Sequence, residues 1–414
     1  MSSCVKNESQ DGHDPSRLYK EIPVGITRYL EPYMGALTKP QQTHFSTFIA
    51  GLIINDNKTI QEINDNLSEK DQSSLNRSIQ HWNIEELNDI RLEQVQRRLP
   101  TRNDGLLIID NYLAHKSGKK MEGAGMHRSG ITKRSEWGHN MVNSYYTHPD
   151  WEFGYPITAD IFTNRDNADY PYRPIKRMAL AQVRHAREHG VRGIVCADTL
   201  YYADYVMREL HEQHERYLMG VPSTLKISVK RAPRVSVAEY FEHQKFEHVK
   251  IHERTYHVSS VKGSIRGVGN RRIVCSYPDG DPDDKKFYAT NLEYPNKKLM
   301  SLLVCRWKIE CWHRDGKQHL GLEDYQVRKD RAVRNVVLAI LIAYTILVLS
   351  TLHPTLRRMA KRIGRPLQTI GELCRFMRLT ARTRWRWITR MMPENIEALK
   401  DVLNREVLVK NAKV

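Results

Sequence analysis

Two runs of apolar residues, each closing on an aspartate, constrain this chain more than anything else in it. Leu106-Leu-Ile-Ile-Asp110 and Gly193-Ile-Val-Cys-Ala-Asp198 carry no charge before their last position. A strand with one wet face alternates apolar and polar side chains, whereas an unbroken apolar run fits a strand buried on both faces, the usual state of a parallel strand covered by helices. The expected class is therefore α/β, with an acid delivered to the end of each buried strand. Ile175 to Glu188 has helical periodicity and stops at Gly190, just past its last turn, so it can supply part of the cover.

The flanking segments extend this frame. Asn140–Thr147 and Tyr155–Thr163 read as strands, with a basic, glycine-containing connection before the first of them. Ala203–Arg216 reads as a helix and Tyr217–Val221 as a short strand. Three strands in a meander, followed by helix, strand, helix and strand, is the order of the ribonuclease H fold. In that order the first and fourth strands are neighbours, so Asp110 and Asp198 would meet at adjoining ends.

A third carboxylate lies far downstream, in Arg306-Trp-Lys-Ile-Glu310-Cys-Trp-His-Arg-Asp-Gly-Lys317, within helical periodicity running from Lys297 to His319. At about 100° per residue, Lys317 falls within roughly 20° of Glu310 and Arg306 about 40° off. The spacing has two readings. Arg306 and Glu310 suit a plain i, i+4 ion pair. They also suit a carboxylate that holds a divalent cation beside a phosphate, with cations to neutralise the phosphate oxygens. The two strand-ending aspartates favour the second reading.

Bulk properties agree with a nucleic-acid protein. At 414 residues the chain is too long for one ordinary core and points to two or three domains. A net charge of +17 implies a polyanionic partner, which charge alone leaves open between nucleic acid and a membrane surface. The six cysteines form no C-x-x-C pair, so a zinc knuckle or disulfide framework is not expected and a reduced, cytosolic setting is. The polar N-terminus has no signal-peptide core. Val336 to Leu352 is apolar but interrupted by Tyr344, Thr345, Ser350 and Thr351, and shorter than about 20 residues, so a buried core helix is expected rather than a membrane span.

The expected organisation is a helical region over 1–100, a first part of the ribonuclease H-like core over 101–225, a β-rich insertion over 226–292, a second core part over 293–352 and a basic helical region over 353–414. After a disordered-looking start to about residue 20, Thr59-x-x-Glu62, Ser68-x-x-Asp71 and Asn83-x-x-Glu86 read as helix caps. The pair Ile60–Leu67 and Asp71–Trp82 resembles a helix-turn-helix that shows Ser73, Asn76, Arg77 and Gln80 to DNA, though a bundle with a polar face has the same pattern. In the insertion, Val249–Val261 and Arg272–Tyr277 are β-prone. The basic stretch Lys262 to Arg272, with Arg266, Arg271 and Arg272, suits either a DNA backbone track or a solvated hairpin. Towards the C-terminus, Trp385 and Trp387 sit among Arg382, Arg384, Arg386 and Arg390, a pattern for phosphate contact with stacking or for a basic helix packed on the protein. His115, His127 and His139 match no zinc spacing and are expected on the phosphate side or the surface. Asp104 falls in a turn, and Asp160 inside a strand as a structural partner.

Asp110, Asp198 and Glu310, with Arg306 and Lys317, resemble the DDE triad and the Y-x-x-R-x-x-x-E-x-x-x-x-x-x-K signature of bacterial insertion-sequence transposases; Leu303 stands where the signature has tyrosine. The resemblance takes in the helical region, Asp110-Asn-Tyr-Leu-Ala-His-Lys-Ser-Gly-Lys-Lys and the insertion. It implies a ribonuclease H-like mixed sheet flanked by helices, and two Mg2+ or Mn2+ ions on Asp110, Asp198 and Glu310. It further implies phosphate contacts from Arg306 and Lys317, cleavage at element ends and transfer of the freed 3′-hydroxyls to a target. The partners implied are double-stranded DNA and a second copy of the chain, in the cytoplasm of a prokaryote near its nucleoid, with no membrane. In some such enzymes a tryptophan of the insertion holds a flipped base while a DNA hairpin forms. This insertion has none, Phe241, Phe246 and Tyr256 being the nearest substitutes, so a hairpin route is not assumed. Two other readings keep the same residues: a DNA-binding remnant or regulator that does not cut, and a structure-specific nuclease on the same fold.

Overall fold

A computed structural model describes residues 24–68, 70–130, 132–165, 171–362 and 367–382. The polar start and the Trp385–Trp387 segment lie outside the described residues. The first part is helical: α1 (Val24–Leu30), α2 (Lys39–Ile54), α3 (Ile60–Leu67), α4 (Gln72–Gln80) and α5 (Ile84–Gln96). Thr59 and Asn83 accept from the amides of Glu62 and Glu86, as their spacing predicts. Ser68 instead closes α3, and Asp71 is the N-cap of α4, accepting from Ser73. α2 is buried along most of its length because α3 lies hard against it. A Cβ on Gly51 would stand 2.4 Å from Ile63, so this crossing requires glycine.

The first strand, β1 (Leu106–His115), runs five residues past Asp110, longer than its apolar run. β2 (Gly125–Arg128), β3 (Ser135–Thr147) and β4 (Tyr155–Phe162) follow, then α6 (Ile175–Glu188), β5 (Ile194–Ala197), α7 (Asp204–Glu212) and β6 (Tyr217–Gly220). β3 pairs antiparallel with β1 on one side and with β2 and β4 on the other, and β5 and β6 continue parallel from β1. The order β4, β3, β1, β5, β6 is the expected ribonuclease H arrangement, with the parallel ladder Leu106–Ile109, Ile194–Ala197 and Tyr217–Gly220 central and buried.

The sheet does not end at β6. β7 (Lys226–Ser228), β8 (Val235–Ser236), α8 (Val237–Glu242), β9 (Glu247–Ile251), β10 (Arg254–Ile265), β11 (Gly269–Pro278) and β12 (Lys286–Thr290) form the β-rich segment, and β12 pairs antiparallel with β6. Among the described residues all twelve strands thus belong to one mixed sheet flanked by helices. Val249–Val261 is two strands, not one, reversed at His252, which takes a positive φ of 51°.

The chain returns through α9 (Asn296–Arg306), α10 (Lys308–His319), α11 (Asp330–Thr351), α12 (Pro354–Arg362) and α13 (Ile370–Arg382). The single helix expected over Lys297–His319 is broken at Trp307, where Trp307 and Glu310 both take i−3 hydrogen bonds. α11 is 22 residues, long and apolar enough to cross a membrane, but 94% of its apolar window is buried inside the protein. It stands between the sheet and the N-terminal helices, packing on β4, α2, α4 and α5. Arg91 of α5 locks that junction from a fully buried position. Its guanidinium donates to Asn88 Oδ1, to the carbonyls of Pro156 and Ile157 on β4, and to Thr345 Oγ1 on α11. α13 closes on α2, with Arg378 bonded to the carbonyl of Ile54 and paired with Asp56.

Candidate active site

The site begins where the parallel ladder ends. β1 and β5 are in register from Leu106–Ile194 to Ile109–Ala197, so the next residue on each strand is an aspartate, Asp110 and Asp198. β1 continues along β3, while β5 stops and Asp198 caps a 3-10 turn, Thr199–Tyr201, accepting from the Thr199 amide at 2.7 Å. The turn lies tight against β6: a Cβ on Gly220 would stand 2.6 Å from the Thr199 nitrogen and 3.0 Å from the Asp198 carbonyl carbon. Glycine at 220 is what lets Asp198 sit beside Asp110.

Glu310 arrives from the first turn of α10. Arg306, on the other side of the Trp307 break, reaches it at 3.4 Å, so the ion-pair reading of the spacing is correct as far as it goes. The pair is not isolated. Arg306 is also close enough to Asp198 and Asp110 for their charges to raise its pKa, against the opposing pull of burial. Burial pushes the Asp110 carboxyl up to about 7, opposed by the Asn111 amide and Arg306 and helped by the negative charges of Asp198 and Glu310. Glu310 is raised as well, by burial first, with Arg306 pulling it down and Asp198 pushing it up. One guanidinium thus faces the charges of three carboxylates, and when all are ionised they carry excess negative charge.

The donors present are hard carboxylate oxygens, the chemistry Mg2+ and Mn2+ prefer. As placed, no three His, Cys, Asp or Glu side chains among the described residues close on a single point. The donor chemistry and the unbalanced charge fit a divalent cation, which Asp110, Asp198 and Glu310 would hold.

One residue that sequence reasoning passed over ties the two halves of the site together. Asn143 on β3 is fully buried; its Nδ2 donates to the carbonyl of Asp110 at 3.0 Å. Its Oδ1 accepts from Trp312 Nε1 at 3.2 Å and His313 Nε2 at 3.1 Å, two and three residues after Glu310. Burial lowers the His313 pKa to about 3, so the ring is neutral and donates from Nε2. Only the pairing of β3 with β1 brings a mid-strand asparagine to this place. Tyr201 is a second omission; its hydroxyl donates to Asn111 Oδ1 beside Asp110. Tyr288 of β12 is a third, near enough to feel Arg306 and Asp198. Leu303, at the tyrosine position of the signature, is buried in α9.

The other expected contacts are scattered. Lys317 donates to the carbonyl of Leu113, three residues past Asp110, and is paired with Glu323 at 2.7 Å. Arg266 is exposed at the β10–β11 turn, but Arg271 and Arg272 are not outward. Arg271 is buried and donates to the Tyr217 hydroxyl of β6, while Arg272 donates to Ser260, Tyr294 and Asn296 and so ties the sheet to the start of α9. On α4, Ser73 and Arg77 are exposed and Asn76 and Gln80 half-buried. His127 and His139 are buried, not superficial; His139 bonds the Glu122 carbonyl and the Tyr325 hydroxyl, and burial lowers both rings to about 4. His115 is exposed. Asp160 is the structural partner expected, paired with Arg334 and Arg173. Phe241 is buried against Phe287.

The family model described as a transposase DDE domain matches residues 150–346. That match supports a DDE transposase. Asp198, Arg306, Glu310 and Lys317 fall inside the matched residues and Asp110 before them. Among solved structures, the piggyBac transposase synaptic complex with hairpin DNA has 10% sequence identity and a TM-score of 0.48, over 93% of this chain and 84% of that chain. No curated protein matches the chain.

Proposed function

We propose that this chain is a DNA transposase that binds the ends of an insertion sequence, cuts there and joins the freed ends to a target. The observation that carries the proposal is the register that puts Asp110 and Asp198 next to each other at the end of the parallel ladder, with Glu310 paired to Arg306 at 3.4 Å close enough to feel the Asp198 charge. The cofactor would be Mg2+ or Mn2+, probed as one ion or two, held by those three carboxylates. When bound, such ions activate a water or hydroxyl and stabilise the leaving oxygen. In the cut, a water oxygen bonds to phosphorus and the P–O3′ bond breaks, leaving a 3′-hydroxyl and a 5′-phosphate. In the joining, that hydroxyl oxygen bonds to a target phosphorus and displaces the target's own 3′ oxygen.

The chain's residues supply position and charge. Asp110 must lose its proton to bind a cation, and Arg306 keeps Glu310 oriented and offsets the charge of the cluster until a cation or phosphate arrives. The partner would be double-stranded DNA, with a dimer handling two ends together, in the cytoplasm of a prokaryote. Asp198→Asn is expected to leave end binding within about twofold and to abolish Mg2+-dependent cleavage of labelled end DNA; full cleavage by that variant would sink the proposal. A DNA-binding protein that does not cut is favoured by one observation, the failure of the carboxylates to close on a point. Cleavage by the parent protein, with joined product in the same reaction, excludes both that reading and a plain nuclease.

A further inference from the structure

A pocket of about 610 Å³ opens beyond the far end of β1, between the loop Lys116–Lys120, the chain at Asn57–Thr59 that leads into α3, and the segment Glu323–Arg328. The loop is fixed rather than loose. Lys116 donates to the carbonyls of Glu323 and Tyr325 with its ammonium 3.3 Å from the Tyr325 ring centroid, and Trp137 Nε1 donates to the Gly118 carbonyl at 2.9 Å. Held this way, Lys119 and Lys120 stand exposed at the rim, with Arg328 exposed on the opposite wall. None of these three has a carboxylate partner among the described residues. The acids nearby are already engaged: Glu323 pairs with Lys317, and Asp324 feels both Lys58 and Lys116. The result is a concave, pre-organised site with cations in excess, the form suited to a phosphodiester.

We propose that this pocket grips the backbone of duplex DNA at a second point, away from the reacting phosphate. It rests on the transposase reading for the identity of the polyanion. β1 itself sets the spacing. Five residues separate Asp110 from His115, about 17 Å at ~3.4 Å per residue. B-DNA rises about 3.4 Å per base pair along its axis, so for a duplex lying along β1 the gripped phosphate is about five base pairs from the bond that is cut. The pocket's other wall, at Asn57 and Thr59, leads into α3 and on to α4, which carries Ser73 and Arg77. Lys116 is the post that positions the loop, and Lys119, Lys120 and Arg328 are the contacts.

The test is binding of end-containing duplex DNA to the full chain in EDTA across 50–300 mM KCl, for the parent, Lys119→Ala/Lys120→Ala and Arg328→Ala. Because all three side chains are exposed, melting temperatures are expected to match the parent. Each lost phosphate contact lowers the salt slope by about 0.9, so the double variant should lose about 1.8 and bind at least ~10-fold more weakly at 100 mM. For a duplex lying along β1, hydroxyl-radical protection should vanish about five base pairs from the cleavage point and persist elsewhere. Unchanged slope and affinity in both variants would overturn the inference while leaving the transposase reading intact. A parent that binds no duplex in any salt would instead overturn the reading beneath it. Weakened heparin or RNA binding with duplex binding unchanged would also count against the pocket as a DNA site.

Discussion

Replacing Asp110 by asparagine is expected to stabilise the metal-free protein, although the residue is among those most needed for its chemistry. Asparagine keeps the oxygen that accepts from the Asn111 amide and removes only the ionisation. In the folded chain the Asp110 carboxyl is raised from its ordinary 3.8 to about 7, by burial first and by Asp198 and Glu310 after it. The folded state therefore holds a proton that the unfolded state releases, and parent stability falls as pH rises from about 4 to about 7. At ~1.4 kcal/mol per pKa step the ceiling is about 4 kcal/mol; the open edge of the carboxyl and solvent screening reduce this to about 1–2 kcal/mol. Thermal unfolding in EDTA at pH 8.5 should place the variant about 1–3 °C above the parent, with the gap narrowing at pH 5 and closing near pH 4. Millimolar Mg2+ should then raise the parent and not the variant, because the carboxylate is a ligand as well as a liability. A variant less stable than the parent at pH 8.5 in EDTA, or a gap that does not change with pH, would refute the charge-crowded picture of the site.

Arg91→Met should cost about 3–5 kcal/mol in urea unfolding, since it strands Asn88 and the Pro156 and Ile157 carbonyls in the core and cuts α5 from β4 and α11. Asn143→Leu should cost about 2–3 kcal/mol and lower the cleavage rate at least tenfold with DNA affinity unchanged, because Trp312 and His313 lose their common acceptor and Glu310 loses its registration to Asp110. Unimpaired single-turnover cleavage would rule out that positioning role. Gly220→Ala should displace the Thr199 turn by a few tenths of an ångström or more and reduce stability by about 1–3 kcal/mol, read by melting, with cleavage falling further than stability accounts for.

Much of the central frame could be read from residue pattern, because burial on two faces leaves an unmistakable mark. Leu106–Ile109 and Ile194–Ala197 are apolar throughout, and the periodicity of Ile175–Glu188 matches α6 at both ends. Thr59 and Asn83 declared their helix starts through local hydrogen bonds that need no distant partner. The errors lie where a local pattern has more than one physical outcome. Ser68 and Asp71 can each cap a helix, and which does so depends on where α3 stops against α2. The β-prone run Val249–Val261 is too uniform to show its reversal at His252. Arg271 and Arg272 look like a solvated basic stretch until Tyr217, Ser260, Tyr294 and Asn296 arrive from other parts of the chain.

The division follows from the range of the forces involved. Sequence by itself determined that two apolar runs leading into aspartates would be buried strands, that Glu310 and Lys317 would share a helix, and that the chain would be strongly basic. All of these rest on side-chain polarity repeated over a few residues. Tertiary structure alone decided that the helix breaks at Trp307 between Arg306 and Glu310, that α10 is pinned there through Asn143, and that the β-rich segment extends the core sheet. Those contacts join residues up to 200 positions apart, as Asp110 and Glu310 are. Only strand pairing and close packing choose among the many partners a polar side chain will accept.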